Sequence, residues 1–497
     1  MQRIRAEARS PERGRIGPKP FGAGVSPADF VNSQERMRLL MTRLPTQSPP
    51  RRQAAGVNAG VRRPAAAGGA RTGHPSAQRP SSGRKGSTPR RPQDPRAAQA
   101  VQKAPAKKGG AVRRIRKKLQ LFSIRSGMDL PLFFLVLVLL TIGLVMLFSA
   151  SYAYAYYNQD GDSYYFIARQ ALFAVLGVAV MVLVSYFDYH HFHKLAIPIL
   201  LVTYAILVLM LVAKGTPLVP NINDTYRWFY IGPINFQPSE IAKFALILIF
   251  AHLISLNFDK MQTFRYGILP YVLLLGSIAG LVVAEKHISA TVIILLLGAV
   301  MLFVGGVRLR WFGVALGGLG AAVLYLLFCT DVFKYAMNRI YGWLDPFNPP
   351  AGVDTWQTRQ SLMSIGSGGL LGLGLGQSRQ KYLYLPEPQN DFIFAIVCEE
   401  LGFIGALIII ILFAMLVWRG VTVSMKAKDK FGMLLGVGLS LQIGLQVVLN
   451  IAVVTNTIPN TGISLPFFSY GGTSLVILMA EMGIVLSISR NSAIEKS

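Results

Sequence analysis

Cysteine, histidine and acidic residues are all scarce in this chain of 497 residues, which contains 2 Cys, 6 His and 23 Asp plus Glu. Cys329 and Cys398 are too few for a disulfide framework, and we expect both to be packing residues in or beside apolar segments. The His and Cys residues show no spacing typical of a metal site, so the sequence predicts no metal ligands. The N-terminal stretch MQRIRAEARSPERGR has no apolar run behind it, so no signal peptide is expected.

Positive charge is concentrated in residues 1–127, which hold 29 Lys and Arg against 5 Asp and Glu and supply +24 of the chain's net charge of +27. This segment is rich in Pro, Gly, Ala, Ser and Gln, so we interpret it as a disordered cytoplasmic tail. Aromatic residues are almost absent from it, so we do not expect nucleic-acid binding. The run RRIRKK at 113–118 is instead expected to contact anionic lipids beside the first membrane span.

From residue 128 on the composition is strongly apolar, which predicts an all-α polytopic membrane domain over 128–490 and a short cytoplasmic tail over 491–497. Each predicted span is long enough to cross a hydrocarbon core of about 30 Å. The sequence predicts ten such spans, at 130–152, 165–187, 195–213, 238–257, 267–284, 288–306, 311–329, 391–418, 431–455 and 466–489.

Lys and Arg are frequent in one set of short loops and absent from the loops at 153–164 and 456–465, which places both termini in the cytoplasm. Two outer loops are then long: 214–237, and 330–390 between spans seven and eight. Long ordered loops usually have a functional role.

The segment 227–243, RWFYIGPINFQPSEIAK, begins the fourth span at the outer surface. Gln237, Glu240 and Lys243 recur at a spacing that places them on one helix face, and Arg227 lies in the loop before them. A helix N-terminus with two cations is typical of a phosphate site. A plain helix start with a Glu240–Lys243 ion pair is the alternative, although a charge inside the membrane needs a partner or a water-filled cavity.

The end of the long outer loop contains Arg379, Lys381, Glu387 and Asp391, just before the eighth span. A carboxyl group at this polar–apolar boundary can act as a general base, because partial desolvation raises its pKa. Asp is also a preferred helix cap, and the residues alone leave these two interpretations of Asp391 open.

Other features are ambiguous in the sequence. The acids Glu399, Glu400, Glu481 and Glu285 lie in or next to spans, which suits hydrogen bonds between helices or a proton-coupled transporter. The uncharged loop 456–474 predicts either an irregular backbone that lines a cavity or a tight turn. The run GSGGLLGLGLG at 366–376 lacks the spacing of a nucleotide-binding loop.

Three segments together resemble the SEDS family of bacterial peptidoglycan polymerases, the FtsW/RodA/SpoVE group. They are RW…G…FQPSE..K at 227–243, LPEPQNDFIFAI..EELGFIG at 385–405 and TGISLPFFSYGGTS at 461–474, and they occur in the family order. The resemblance covers about residues 128–490, and SRQKYLYLPE at 378–387 is more similar to the FtsW branch. It implies a glycosyltransferase in the bacterial cytoplasmic membrane that polymerises lipid II at the outer face, and the FtsW branch implies a role in cell division.

The resemblance also implies roles for individual residues. The aspartate of the NDFIF motif, here Asp391, would be the catalytic base. The remaining candidates would stabilise the leaving diphosphate or orient the substrate: Arg227 and Lys243 first, Arg379 and Lys381 in reserve, with Glu240, Glu387 and Gln237 as orienting groups. No cofactor is implied, although the diphosphate could carry Mg²⁺ or Mn²⁺. The expected partners are a class B penicillin-binding transpeptidase and other divisome or elongasome proteins.

Two other functions fit a chain of this kind. A lipid II flippase would also have many spans and intramembrane acids, but it needs a polar path to the cytoplasmic side. A non-catalytic division scaffold would depend on the tail and the long loop. The polar residues cluster at the outer ends of the spans, which favours the polymerase.

Overall fold

The computed structural model describes residues 127–221, 225–232, 234–314, 317–318, 337 and 340–492. A two-stranded antiparallel hairpin, β1 (Phe229–Ile231) and β2 (Ile234–Phe236), precedes the fourth helix, and a 3-10 turn covers Phe258–Lys260. The α-helices of this part are α1 (Leu130–Asn158), α2 (Tyr165–Tyr186), α3 (His190–Val212), α4 (Pro238–Leu256), α5 (Phe264–Gly267), α6 (Leu269–Ala284), α7 (Ile288–Val304), α8 (Trp356–Gly368), α9 (Ile393–Met425), α10 (Lys430–Val454) and α11 (Gly472–Asn491).

Eight helical segments of the described chain are long and apolar enough to cross a membrane, with α5 and α6 counted together as Phe264–Ala284. The protein is therefore a mostly helical, multi-pass membrane protein. Helix α7 is apolar but has only 17 residues. Most of the predicted seventh span, 311–329, lies outside the described residues, which include only 311–314 and 317–318 of it.

Several predicted span boundaries need correction. The first helix continues to Asn158 rather than ending at residue 152, and the eighth span begins at Ile393 rather than 391. The tenth was expected to start at 466, but its helix starts at Gly472 because residues 461–471 have an irregular backbone. Hydropathy located these spans correctly but could not detect apolar residues in non-helical conformations, such as Phe467 with φ of 64°.

The run of glycines at 366–376 passes directly over a break in α9. Gly402 has φ of 68° inside α9, and the broken helix bonds to the crossing chain: Phe403 N donates to Gly369 O at 2.9 Å, and Leu373 N donates to Glu399 O at 2.9 Å. A Cβ on Gly372 would collide with the carbonyl oxygen of Glu400. The glycines are needed because backbone packs against backbone here.

An ion pair joins the start of α1 to the last part of α9. Asp129 caps α1 by accepting a hydrogen bond from Leu132 N, and Arg419 Nη2 lies 2.8 Å from its Oδ2. Elsewhere small residues permit close helix packing: Gly483 of α11 lies against the backbone of Met181 in α2, where a side chain would not fit. These contacts hold the helices whose other ends form the site.

Candidate functional site

Asp391, Arg227 and Gly462 come together although they are distant in sequence. An ideal Cβ on Gly462 would lie 3.3 Å from Oδ2 of Asp391 and 3.9 Å from Nη1 of Arg227. Gly462 has φ of 70°, a conformation that a glycine adopts at little cost. The carboxyl and guanidinium groups therefore border the same small space, which a larger residue at position 462 would fill.

The backbone around Asp391 is fastened to the loop 461–471. Asn450 of α10 donates to the carbonyl oxygens of both Asp391, at 2.7 Å, and Ile463, at 2.6 Å. Ser469 Oγ donates to Asn390 O at 2.7 Å, and Tyr470 N donates to Gln389 O at 2.9 Å. Three buried or partly buried connections thus fix the position of the carboxylate relative to the irregular loop.

Asp391 is not the cap of α9. Phe392 occupies the N-cap position, and no side chain bonds to the first turn. Burial raises the pKa of Asp391 to about 6, and the charge of Glu387 acts in the same direction, while its own backbone amide and Arg227 oppose the shift. The residue as a whole keeps partial solvent access. A carboxylate with this pKa is ionised at neutral pH and basic enough to accept a proton.

A second charged group lies at the start of α4. Lys243 is buried, and its Nζ lies 2.9 Å from Oε1 of Glu240, so the predicted ion pair is present. Gln237, the N-cap residue of α4, places Nε2 3.3 Å from Nε2 of His287. Burial, Arg227 and Lys243 together lower the pKa of His287 to about 3, so this imidazole is neutral at pH 7.

His287 and Ser289 were not predicted as site residues. Both lie at the start of α7, where Ser289 Oγ donates to Thr461 O beside Gly462. The sequence does show a short polar interruption at 285–287 between two apolar runs. Nothing in the sequence indicates that this interruption lies beside Arg227 and Lys243. The effects of Arg227 and Lys243 on His287 show that it is near both cations.

Lys381 lies in a different cluster from Asp391. Its buried ammonium donates to Glu400 Oε1 at 3.0 Å, to Ser149 Oγ at 3.1 Å and to Gly376 O at 2.6 Å. The three acceptors lie on α9, α1 and the long loop. This geometry indicates a role in fastening the loop to the helices rather than in binding a substrate.

The paired acids of α9 hold the same loop. Glu399 accepts from Ser378 Oγ at 2.5 Å and from the backbone N–H of Arg379 at 2.9 Å. Glu400 accepts from Gly376 N at 3.0 Å and Ser378 N at 3.2 Å. Both acids therefore bond to one short stretch of the loop, residues 376–379.

Three other charged residues lie in different surroundings: Glu387 near Asp391, Arg379 on the surface of the loop, and Glu481 inside the bundle. Glu387 is exposed, accepts from Asn390 Nδ2 at 2.8 Å and is close enough to Asp391 to affect its pKa. Arg379 is exposed on the loop. Glu481 of α11 is buried, accepts from Gln442 Nε2 at 2.9 Å and interacts electrostatically with Lys243.

Among the described residues, no three His, Cys, Asp or Glu side chains are grouped so that they could hold a metal ion. Arg227 and Lys243 are two cations of this site, and the charges of both act on His287. These features define a polytopic membrane protein with an acid and two cations at one end of its helix bundle.

Comparison with known proteins identifies the family. The family model for FtsW, RodA and SpoVE, described as cell cycle protein, matches residues 130–494. Stage V sporulation protein E of Bacillus subtilis is 40% identical over 368 residues, which are 74% of this chain and 98% of that protein. A protein named probable peptidoglycan glycosyltransferase FtsW, from a Geobacter species, is 37% identical over 369 residues, which are 73% of this chain and 97% of that protein.

Solved structures of related proteins also resemble this chain. One from work on the coordination of polymerization and crosslinking by a peptidoglycan synthase complex has a TM-score of 0.59 at 26% identity, covering 74% of this chain and 99% of that one. The rod shape determining protein RodA of Thermus thermophilus has a TM-score of 0.54, with the same identity and coverage. The chain belongs to the FtsW/RodA/SpoVE family.

Proposed function

We propose that this protein is a peptidoglycan glycosyltransferase that polymerises lipid II at the outer face of the cytoplasmic membrane, in cell division. The observation that carries the proposal is the meeting of Asp391 and Arg227 at Gly462, which joins an acid and a cation from three segments of the chain. Relatives named as FtsW glycosyltransferases, at 37% identity over nearly their whole length, support the same reaction.

Asp391 would act as the general base. Its carboxylate accepts the proton of a sugar hydroxyl on one lipid II molecule, and the hydroxyl oxygen forms a glycosidic bond to the anomeric carbon of the other. The bond from that carbon to the lipid diphosphate breaks, and the diphosphate leaves with the electron pair. A pKa of about 6 suits this role, since the group is ionised at neutral pH but remains a useful base.

Arg227 and Lys243 would stabilise the diphosphate as negative charge develops on it. Fixed cations are effective in such a site because they need little reorganisation during the reaction. Glu240, 2.9 Å from Lys243, would hold the ammonium in place, and Gln237 and the neutral His287 would offer hydrogen bonds to phosphate or sugar oxygens. A Mg²⁺ or Mn²⁺ ion could enter with the diphosphate, bound through the substrate.

The membrane arrangement that we propose has ten spans, the long outer loop between spans seven and eight, and both termini in the cytoplasm. It puts the site at the outer face, because α4, α7 and α9 all begin at the end of the bundle where the site lies. We also propose a class B penicillin-binding transpeptidase as partner. A solved relative described as a peptidoglycan synthase complex with coordinated polymerization and crosslinking supports a partner of this kind.

The test is lipid II polymerisation by the purified protein in liposomes, with the transpeptidase partner present. Asp391→Asn should reduce the rate at least a hundredfold, because general-base catalysis contributes about 10²–10⁴-fold. The matched control is Asp160→Asn, which makes the same change at an exposed acid between α1 and α2 and should keep wild-type activity. An Asp391→Asn variant with wild-type activity would refute the assignment of the base.

The same liposomes can distinguish the other functions. If neither protein forms glycan while the wild type moves labelled lipid II across the bilayer, the protein is a flippase. If it does neither but supports division in cells with Asp391→Asn in place, it is a scaffold.

A further inference from the structure

The loop 461–471 has a guanidinium group near each end. Arg227 lies near Gly462, as described, and Arg169 of α2 lies near Tyr470. The guanidinium carbon of Arg169 is 3.9 Å from the centroid of the Tyr165 ring, and its Nη1 also contacts the Tyr165 hydroxyl. The positive charge of Arg169 also acts on the hydroxyl of Tyr470, so the two side chains lie close together.

Arg169 is exposed but held in one orientation. Its stacking on the Tyr165 ring and its contact with the Tyr165 hydroxyl reduce the number of conformations that it must lose on binding a ligand. The tyrosines are themselves fixed, since the Tyr470 ring packs edge-on against Phe166 at a centroid distance of 4.9 Å. Guanidinium groups held in this way are suited to phosphate, which they can bind with two hydrogen bonds.

The position of Arg169 relative to Asp391 follows from the loop contacts. Its neighbour Gln170 accepts a hydrogen bond from Gly471 N at 3.2 Å, and Tyr470 N donates to Gln389 O at 2.9 Å. Gln389 precedes Asp391 by two residues, which is about 7 Å of extended chain or less. The loop 461–471 and its contacts therefore connect the segment of Asp391 to Arg227 near one end of the loop and to Arg169 near the other.

The proposed reaction requires two lipid-linked sugars at once. One loses its diphosphate, and the other keeps its own diphosphate one sugar unit or more away from the hydroxyl that reacts. Two diphosphates cannot share the cations near Arg227, because their like charges repel. The second diphosphate therefore needs a cation other than Arg227, and Arg169 has an exposed guanidinium group at the other end of the loop 461–471.

We propose that Arg169, oriented by Tyr165, binds the phosphate group of the second lipid-linked substrate. This inference rests on the proposed function, since a reaction with one lipid substrate would not need the site. A phosphate could also come from the head groups of the surrounding bilayer, and the experiments separate the two sources.

The first experiment measures binding without catalysis. Native mass spectrometry of the full chain in a phosphate-free detergent, with farnesyl diphosphate as probe, should show two bound probe molecules for the wild type. Arg169→Gln and Arg227→Gln should each bind one, and Lys428→Gln, which removes an exposed cation from the loop between α9 and α10, should bind two. Two molecules bound to Arg169→Gln, or one bound to the wild type, would overturn the proposal.

The second experiment measures polymerisation of lipid II. Arg169→Gln should raise the KM for lipid II about tenfold to a hundredfold, the range expected for losing charged hydrogen bonds, with a smaller change in kcat and shorter glycan chains. Arg169→Lys should recover part of the loss. If the loss appears only in phospholipid bilayers and not in phosphate-free detergent, Arg169 binds head groups and the proposal is wrong. Failure of the wild type to polymerise would refute the proposed function, while the binding result would remain interpretable.

Discussion

At the scale of single residues, Gly462 explains why the sequence could indicate the members of the site but not their arrangement. Asp391 and Arg227 were both candidates from their positions at the ends of spans, yet nothing in either segment shows that they meet. The contact depends on a glycine in a third segment, with φ of 70° and an ideal Cβ position only 3.3 Å from Oδ2 of Asp391. His287 was missed for the same reason, since its importance comes from neighbours that the chain order does not reveal.

The activity should depend on pH through Asp391. Burial raises the pKa of this carboxyl to about 6, and the base is active only when ionised, so the rate should rise with pH through this value. At pH 5 we expect about a tenth of the rate found at pH 7.5, from the fraction of ionised carboxylate. Initial rates between pH 5 and 8 test this, with the unfolding temperature measured at each pH as the control. A rate that is constant from pH 5 to 7.5 would exclude Asp391 as the titrating base.

At the scale of elements, hydropathy and charge predicted which segments form helices, because burial in a membrane requires long apolar runs. They did not predict the break at Gly402 or the loop that crosses it. Those features depend on backbone hydrogen bonds between residues 369–374 and α9, which leave only a run of glycines as a signal in the sequence. The sequence left the roles of Glu399 and Glu400 open, and the structure shows that both carboxylates accept hydrogen bonds from the same loop.

The ion pair of Lys381 and Glu400 should contribute to stability rather than to substrate binding. Lys381→Met leaves a buried carboxylate without its cation, and breaking a buried pair in this way costs about 3–5 kcal/mol. The variant should therefore unfold at a lower temperature in detergent, and Lys381→Met combined with Glu400→Gln should recover part of the loss.

Arg379→Met, which removes an exposed cation two residues away, is the control and should leave the unfolding temperature unchanged. The opposite pattern, an unchanged unfolding temperature for Lys381→Met with a raised KM for lipid II, would assign Lys381 to the substrate site.

At the scale of the whole molecule, every residue of the proposed site lies between 127 and 492, and the family model covers residues 130–494. The relatives are matched over 97–98% of their own length by about three quarters of this chain. The basic tail is thus an addition to a complete family domain. Its predicted disorder and its contact with anionic lipids concern residues outside the described part of the structure, and they remain predictions.

Removal of residues 2–110, which keeps the basic run 113–118 beside the first span, should leave lipid II polymerisation within about twofold of the full chain. The reason is that the site is assembled entirely by the membrane domain, while the retained run still favours a cytoplasmic N-terminus.

Replacing the basic residues of 113–118 with Gln in the full chain should instead reduce the amount of anionic lipid that co-purifies with the protein, since each basic residue near the surface contributes about 1 kcal/mol. Polymerisation rates and retained lipid, measured on the same preparations, separate the two effects. A large loss of polymerisation on deletion of 2–110, in protein that is still correctly inserted, would show that the tail takes part in the reaction or in recruiting what the reaction needs.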